Sequence, residues 1–259
     1  MTEGLAGERL HQQPVWLIIP CYNEAQRLHI EAFRRFLARD TGTRLLFVDD
    51  GSTDGTCDVL TTLCSGFGGK TSILRLPKNK GKAEAVRAGF LFALDHGRPT
   101  MIGFWDADLA TPLDTVERFL RVLHDQPEIE MIFGARVQLL GRRVKRSAVR
   151  HYLGRIFATA VSIVLELAIY DTQCGAKLFR VHADTRALFA EPFLSRWVFD
   201  VEIIARYRQL FREEERNLAE AIYEYPLEQW EDVAGSKVGF GDFLIAFRDI
   251  VRIRSRYLT

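Results

Sequence analysis

Asp106-Ala107-Asp108 is the sharpest chemical feature of this sequence: two carboxylates two residues apart, after the apolar run Met101–Trp105 and before Pro112. Carboxylates so spaced at a strand end can converge on one hard divalent cation, which takes a few carboxylate oxygens and leaves positions for substrate phosphates. A plainer reading has one Asp capping a helix that begins near Pro112 and the other solvated, and the pair alone does not choose between them. A second acidic run is Asp49-Asp50-Gly51-Ser52-Thr53-Asp54-Gly55-Thr56. Locally it is a turn in which Ser52 or Asp54 caps a helix, and it leaves Asp49, at a strand end, free to accept hydrogen bonds from a base or ribose. Neither GxGxxG nor GxxxxGK[ST] occurs, which argues against Rossmann dinucleotide binding and P-loop chemistry. The six His are scattered without metal-ligand spacing, so no zinc site is expected.

These clusters need a scaffold, and the first ~140 residues supply the pattern of one. Short β-branched or aromatic runs alternate with amphipathic stretches, the signature of βαβ units and a mostly parallel sheet. Strands are expected at Val15–Ile19, Arg44–Val48, Ser72–Leu76, Met101–Trp105 and Glu130–Gly134, with helices at Glu24–Arg39, Thr56–Leu63, Ala83–His96 and Leu113–His124. Three polar clusters (Pro20-Cys21-Tyr22-Asn23-Glu24, Asp49–Asp54 and Asp106–Asp108) follow three of these strands. In open α/β sheets the ligand crevice lies at those carboxyl ends. Farther on, a strand-rich piece (Thr172–Arg180), a helix (Phe199–Phe211), a strand (Ile222–Leu227) and an Arg-rich helical tail (Asp242–Leu258) are expected.

Totals exclude some classes. Of 259 residues, 47% are hydrophobic and 27% charged, so disorder is ruled out. With 35 Lys+Arg against 34 Asp+Glu the net charge is +1, which argues against general polyanion binding, nucleic acid included. The four Cys (Cys21, Cys57, Cys64, Cys174) lack CxxC spacing, so reduced thiols in a cytosolic setting are expected, with Cys21 and Cys174 buried and inert. No segment reaches the ~20 apolar residues of a membrane helix; the longest candidate, Ile156–Tyr170, is interrupted by Glu166, and the first 14 residues do not read as a signal peptide. One local bias stands out. Met131 to Leu165 holds seven Arg/Lys and no acid, and Val149, Tyr152, Leu153, Ile156, Phe157, Ala160, Val161 and Val164 follow a helical period. That stretch reads either as a helix lying on anionic lipid, with a cationic face and an apolar face including Phe157, or as a helix packed on the sheet with a solvated basic rim.

Taken together, Pro20–Glu24, Val48–Thr56, Asn79-Lys80-Gly81-Lys82-Ala83 and Asp106–Asp108 resemble glycosyltransferase family 2, with its GT-A fold. Asp171-Thr172-Gln173-Cys174-Gly175-Ala176-Lys177-Leu178-Phe179, Arg196–Glu202, and Trp230 followed by Gly235-Ser236-Lys237 are similar to the dolichyl-phosphate β-glucosyltransferases, to which the mannose synthases are related. The resemblance runs over about residues 14 to 258. It implies one GT-A domain over residues 1–259, with a nucleotide and metal half (14–135) and an acceptor half (136–259) that carries an amphipathic helical extension. It places Pro20, Tyr22, Asn23, Glu24, Asp49, Asp50, Lys82 and Asp106 at the nucleotide, with Asp49 reading the base. Asp106 and Asp108 would hold Mg2+ or Mn2+ against the diphosphate, and Arg136 and Lys237 match basic positions that contact phosphates. With Asp108, they and Asp200 form the expected catalytic set.

Asp200 would bind donor hydroxyls or act as a base; as a plain helix N-terminal acid it would need neither role. Arg146 and Arg150 are the candidates for an acceptor phosphate. Two departures accompany the match. Many mannose synthases have a metal-binding Gln where this chain has Ala110, and the N-terminal anchor of the eukaryotic glucosyltransferases is not seen here, which favours a bacterial polyprenol over dolichol. The expected function is thus an inverting, metal-dependent transfer of a hexose, glucose from UDP-glucose, to a polyprenyl phosphate by a cytoplasmic protein peripheral at the inner membrane face. The alternatives are a GDP-mannose donor, a hydroxyl acceptor in polysaccharide synthesis (the QxxRW motif of processive synthases is absent), or a non-catalytic nucleotide-sugar-binding protein.

Overall fold

Strand β1 (Val15–Cys21) shows why the sheet forms: Val15, Leu17 and Ile19 enter one hydrophobic core while Trp16 and Ile18 enter another. A strand buried on both faces has no polar side to offer solvent, so it reads as a continuous apolar run. The computed structural model describes residues 14–39, 41–145, 148–231 and 240–258. Along the chain, β1 is followed by α1 (Ile30–Leu37), β2 (Thr43–Asp49), α2 (Thr56–Cys64), β3 (Thr71–Arg75), α3 (Lys82–His96), β4 (Met101–Trp105), α4 (Thr115–Asp125) and β5 (Met131–Ala135). Then come β6 (Arg143–Lys145), α5 (Ala148–Leu165), β7 (Ala176–Arg180), α6 (Thr185–Ala190), α7 (Phe199–Glu213), α8 (Leu218–Ala221), β8 (Ile222–Pro226), β9 (Gln229–Glu231) and α9 (Phe240–Tyr257).

Seven strands make one sheet in the order β3-β2-β1-β4-β7-β5-β8, while β6 and β9 pair separately. All neighbours in the large sheet are parallel except those of β7, which runs antiparallel to both β4 and β5. This is the α/β, mostly parallel architecture expected from the sequence. Helices α1, α2 and α4 bury Phe33, Leu60 and Phe119 against one face; α3, α5, α7 and α9 bury Phe90, Phe157, Ile203 and Ile250 on the other. The strand order reverses at β1, whose neighbours are β2 and β4, and a crevice opens outside the carboxyl ends at such a point.

Several boundaries differ from expectation. The helix expected from Glu24 begins only at Ile30, because the amides of Glu24 and Ala25 are taken by Thr56 Oγ1 (2.8 Å) and Asp54 Oδ2 (3.2 Å) across the next loop. Asp54 also accepts from the Thr56 amide at 3.0 Å, but the N-cap position of α2 is Gly55, without a side-chain cap, so neither Ser52 nor Asp54 is the helix cap that was expected. Neither Asp106 nor Asp108 caps the helix after Pro112, which starts at Thr115 behind Asp114. The expected strand Thr172–Arg180 is regular only from Ala176. Helix α5 stops at Leu165, where Glu166 turns to a φ of 49°. Its Phe157 is not on the outer apolar face that was expected: it is 7% exposed and meets Phe247 of α9 edge-on at 6.0 Å, while Tyr152, Ile156 and Ile163 point outward. Among the described residues no helix is long and apolar enough to cross a membrane.

Gly51 is fixed by the turn after β2. It sits at φ +68°, and a Cβ there would lie 2.5 Å from the Lys78 carbonyl carbon and 2.6 Å from Lys78 Cα, both backbone. Left-handed strain alone costs about 1–2 kcal/mol. Gly51→Ala is therefore expected to lose about 2 kcal/mol or more in urea denaturation; a loss under about 0.5 kcal/mol, the scatter of neutral surface changes, would contradict this account of the turn.

Candidate active site

The loops after β1 and β2 are laced together. Asn23, at φ 53°, receives a bond from the Thr53 amide on Oδ1 (2.9 Å) and gives its own amide to Ser52 Oγ (3.0 Å). Pro20 and Tyr22 lie on the same rim, with Tyr22 37% exposed, while Glu24 pairs with Arg27 at 3.5 Å. Beneath them Asp49 is fully buried: Oδ1 accepts from the Ser52 amide at 2.9 Å, and Oδ2 has no hydrogen-bond partner among the described residues. The nearest guanidinium nitrogen to that oxygen is Arg75 Nε, 3.6 Å away. A buried acceptor left open is costly unless something arrives to donate to it.

Asp50 does not join Asp49 as a free ligand. Its two oxygens accept from the Lys80 amide (2.8 Å) and the Gly81 amide (2.7 Å), so its carboxylate fixes the loop that launches α3 and thereby places Lys82. Lys82 Nζ lies 2.5 Å from Asp106 Oδ1. Burial opposes the charge on Lys82, but Asp106 and Asp200 outweigh it and raise its pKa. Asp106 itself rests in a backbone hollow: its amide donates to Gly175 O at 2.9 Å, and a Cβ on Gly175 would come within 1.9 Å of Asp106 Oδ2. Asp108 accepts from the Ala110 amide at 3.1 Å; burial first, and the charge of Asp106 second, push its carboxyl up. Leu109 completes the turn at φ 52°, and buried Trp105 pins its far side by donating Nε1–H to Thr111 O at 2.7 Å.

This turn fits a hard divalent cation. It presents two neighbouring carboxylates, one seated where only glycine leaves room, and no third His, Cys, Asp or Glu completes a cage among the described residues. Such a site leaves coordination positions for substrate phosphate oxygens, as Mg2+ requires.

The far wall comes from the second half of the chain. Arg136, just after β5, makes a two-armed pair with Asp171 (Nε to Oδ2 2.6 Å, Nη2 to Oδ1 2.8 Å), and its amide adds a third bond to Oδ2 at 3.0 Å. Burial would raise the Asp171 carboxyl, but Arg136 overrides it by charge and hydrogen bonds and pushes it down to about 2. Glu224 on β8 accepts from the amides of Tyr170 and Asp171 and holds the turn from below, its own carboxyl raised chiefly by burial. Asp200, in the first turn of α7, is 5% exposed and lies 3.0 Å from Lys177 Nζ. Burial raises its pKa, against the pull of Lys177 and Lys82. A small cavity opens between α5 and this turn, lined by Arg136, Gly154, Arg155, Tyr170, Thr172 and Gln173. Thr172 Oγ1 and Gln173 Nε2 are buried without hydrogen-bond partners among the described residues, and Arg155 stacks on Tyr170 at 3.8 Å.

The structure thus gathers Asp106, Asp108, Lys82 and Asp200 at one crevice. Arg146 and Lys237 lie outside the described residues, as does the side chain of Arg150. Sequence reasoning singled out no role for Asp171, Gly175, Lys177 or Arg155; the usable signal was a lysine inside the apolar strand Ala176–Arg180, where burial of a charge demands a partner. Cys21 and Cys174 are buried as expected, and burial pushes both thiols up.

Gly175→Ala should evict the Asp106 carboxylate with little effect on the fold, because a side-chain end can swing aside. Mn2+ binding, read by calorimetry, should weaken at least about tenfold while Tm stays within about 3 °C, and unchanged Mn2+ affinity would refute the hollow. For Asp171, a fall from 3.8 to about 2 corresponds to about 2 kcal/mol of stability, present above pH ~4 and lost as pH drops through ~2. Asp171→Asn should therefore be less stable at neutral pH and show a shallower decline between pH 4 and 2 in denaturant titrations; an unchanged acid limb would contradict the pair.

The model of Glycosyl transferase family 2 matches residues 16–186, a span that holds both acidic turns and the Arg136–Asp171 pair. The human dolichyl-phosphate beta-glucosyltransferase is 33% identical over 260 residues, spanning 94% of this chain and 75% of that protein. The Drosophila melanogaster protein of the same name is 35% identical over 258 residues, with coverages of 94% and 75%. Among solved structures, glucosyl-3-phosphoglycerate synthase from Mycobacterium tuberculosis, in complex with Mn2+, UDP-glucose and phosphoglyceric acid, superposes with a TM-score of 0.65 at 15% identity, over 96% of this chain and 81% of that one. That likeness establishes a shared GT-A fold. The crevice at the switch point, the acidic turn and these matches carry one conclusion: the chain belongs to glycosyltransferase family 2.

Proposed function

We propose that this enzyme transfers glucose from UDP-glucose to the phosphate of a polyprenyl-phosphate lipid, with inversion, at a membrane surface on its cytoplasmic side. The observation that carries the reading is the charge arrangement of the acceptor wall. Its described carboxylates are engaged, Asp171 by Arg136, Glu224 by two backbone amides and Asp200 by Lys177, while Arg155 and the open donor of Gln173 line the cavity. A hydroxyl acceptor needs a general base; an acceptor that is already a phosphate oxyanion does not, and is drawn by cations instead. The names of the human and fly relatives agree with this acceptor class.

In the donor half, the open Oδ2 of Asp49 suits the imide N–H of a uracil, with Pro20, Tyr22, Asn23 and Glu24 along the rim. Asp106 and Asp108 would hold Mg2+ or Mn2+, which when bound neutralises the charge that develops on the diphosphate. Lys82 adds a second positive charge beside Asp106, and the family resemblance assigns Lys237 to the same diphosphate. The acceptor phosphate would enter the Arg155 cavity, approached by Arg146 and Arg150. Its oxygen attacks the anomeric carbon as the bond to the UDP oxygen breaks, and the electron pair leaves with UDP; one displacement inverts the centre. Asp200 binds hexose hydroxyls. The outward residues Tyr152, Ile156 and Ile163 of α5, with Ile245 and Val251 of α9, form the apolar side that would meet lipid.

Purified protein given UDP-glucose, GDP-mannose and a short polyprenyl phosphate should form lipid-linked glucose from UDP-glucose alone, and only with Mg2+ or Mn2+. Asp108→Ala should lower the rate about a hundredfold or more, and Arg155→Gln should raise the KM for the lipid phosphate about tenfold with the donor KM unchanged. Transfer from GDP-mannose alone, or to a sugar hydroxyl but not to the lipid, would overturn the corresponding part; no transfer at all would overturn the whole.

A further inference from the structure

Lys177 is 1% exposed, the second residue of β7, at a position where an apolar side chain would pack without cost. Its strand partners Phe104 and Phe133 flank it, with their ring centroids 5.6 Å and 5.0 Å from the ammonium. Three oxygens surround the ammonium: it donates to Thr172 O at 2.8 Å and Cys174 O at 2.6 Å, and it lies 3.0 Å from Asp200 Oδ1 as an ion pair without hydrogen-bond geometry. Two of these lie in the turn whose Gly175 seats Asp106; the third is the carboxylate at the start of α7. Asp200 also feels the charges of Lys82 and Asp106, so it stands between the buried ammonium and the crevice. Lys177 has no surface of its own with which to touch a ligand.

We propose that Lys177 is a positioning residue for the transferred hexose: by holding Asp200 against the 172–174 carbonyls it aims that carboxylate at the sugar hydroxyls, and it thereby sets affinity for the sugar portion of the donor and not for the nucleotide. The inference rests on the reading of the chain as a nucleotide-hexose transferase. The alternative, a lysine that only stitches β7 to α7, makes the same contacts but has no reason to distinguish a sugar-bearing nucleotide from the bare one.

The two are separated by titrating UDP and UDP-glucose, each with Mn2+, into wild type, Lys177→Met, Asp200→Asn and the double variant by calorimetry, with thermal unfolding in parallel. UDP affinity is expected to stay within about threefold of wild type in every folded variant, whereas UDP-glucose affinity falls about tenfold in each single variant and no further in the double, since the second change removes a contact already lost. Lys177→Met strands a buried carboxylate and should lower Tm, and the double should recover part of that loss. Should Lys177→Met fail to fold, comparing Asp200→Asn with the double draws the same distinction. The proposal is overturned if UDP and UDP-glucose affinities fall together, if the two losses add toward a hundredfold, or if a folded Lys177→Met keeps its UDP-glucose affinity. A wild-type protein that binds UDP but not UDP-glucose counts against the donor reading alone, and the cycle is then run with GDP and GDP-mannose.

Discussion

The seat of the Asp106 carboxylate is the contact on which the remainder of the site depends. Its oxygens occupy the volume that any side chain at residue 175 would fill, and one of them meets the ammonium of Lys82. That meeting requires three chain segments to arrive at one edge of the sheet. Two are delivered by parallel strands, whose carboxyl ends share an edge by construction. The third depends on the reversal of β7. An antiparallel strand starts where its parallel neighbours end, so the pairing of Ala176 with Trp105 puts the whole 171–175 turn beside Asp106. A parallel strand in the same slot would have left that turn at the opposite edge.

Charge in the crevice is arranged in pairs, and the pairs explain why so many ionic groups can sit where water is scarce. A buried ion costs several kcal/mol unless a partner and further hydrogen bonds compensate it. Asp171 has Arg136 and its amide, Lys177 has Asp200 and two carbonyls, and Asp50 has two amides. Asp49 has Arg75 3.6 Å away but keeps one oxygen without a hydrogen bond among the described residues, and the cavity under α5 holds an amide nitrogen and a hydroxyl in the same condition. Open buried polar atoms also occur elsewhere, on Trp16, Thr43, Arg206, Tyr207 and Arg208 among others. Those of Asp49, Thr172 and Gln173, however, fall at the two ends of the crevice where the proposed reaction would put its ligands, an acceptor at the base end and donors at the phosphate end. The net charge of +1 averages over this segregation and conceals it.

Much of this was legible in the residues. Periodicity located the strands of the first half to within two residues, most plainly β1, β4 and β5, whose burial on both faces leaves an uninterrupted apolar trace. The acidic turns after β2 and β4 were visible as clusters at strand ends. What was not legible depends on pairing between distant segments. Asp49 and Asp50 are adjacent and chemically identical, yet one keeps an open oxygen and the other spends both on the Lys80–Gly81 loop, a difference set thirty residues downstream. Helix α1 lost its expected first turns to side chains of the next loop. The direction of β7 could not be read either, since its five residues are as apolar as a parallel strand apart from the terminal Arg180 and Lys177, whose burial signals a partner without naming it.

If Arg136 meets a phosphate, as the family resemblance implies, its clamp by Asp171 would serve that contact and not merely compete with it. Asp171 engages Nε and Nη2, one edge of the guanidinium, so the edge made by Nη1 and the second Nη2 proton still points away from the carboxylate. A guanidinium that turned freely would have to surrender side-chain entropy each time it met an anion; one already locked on its rear edge, with Trp230 5.3 Å from its centre, has lost that freedom in folding. The Asp171 carboxylate subtracts charge from the pair but adds direction to it. Arg155, also on this wall, is itself stacked and tethered to the Tyr170 carbonyl at 3.0 Å; in the proposed reaction an oxyanion has to be presented in line with the breaking bond, and two guanidinium planes already fixed in folding would define where it stands.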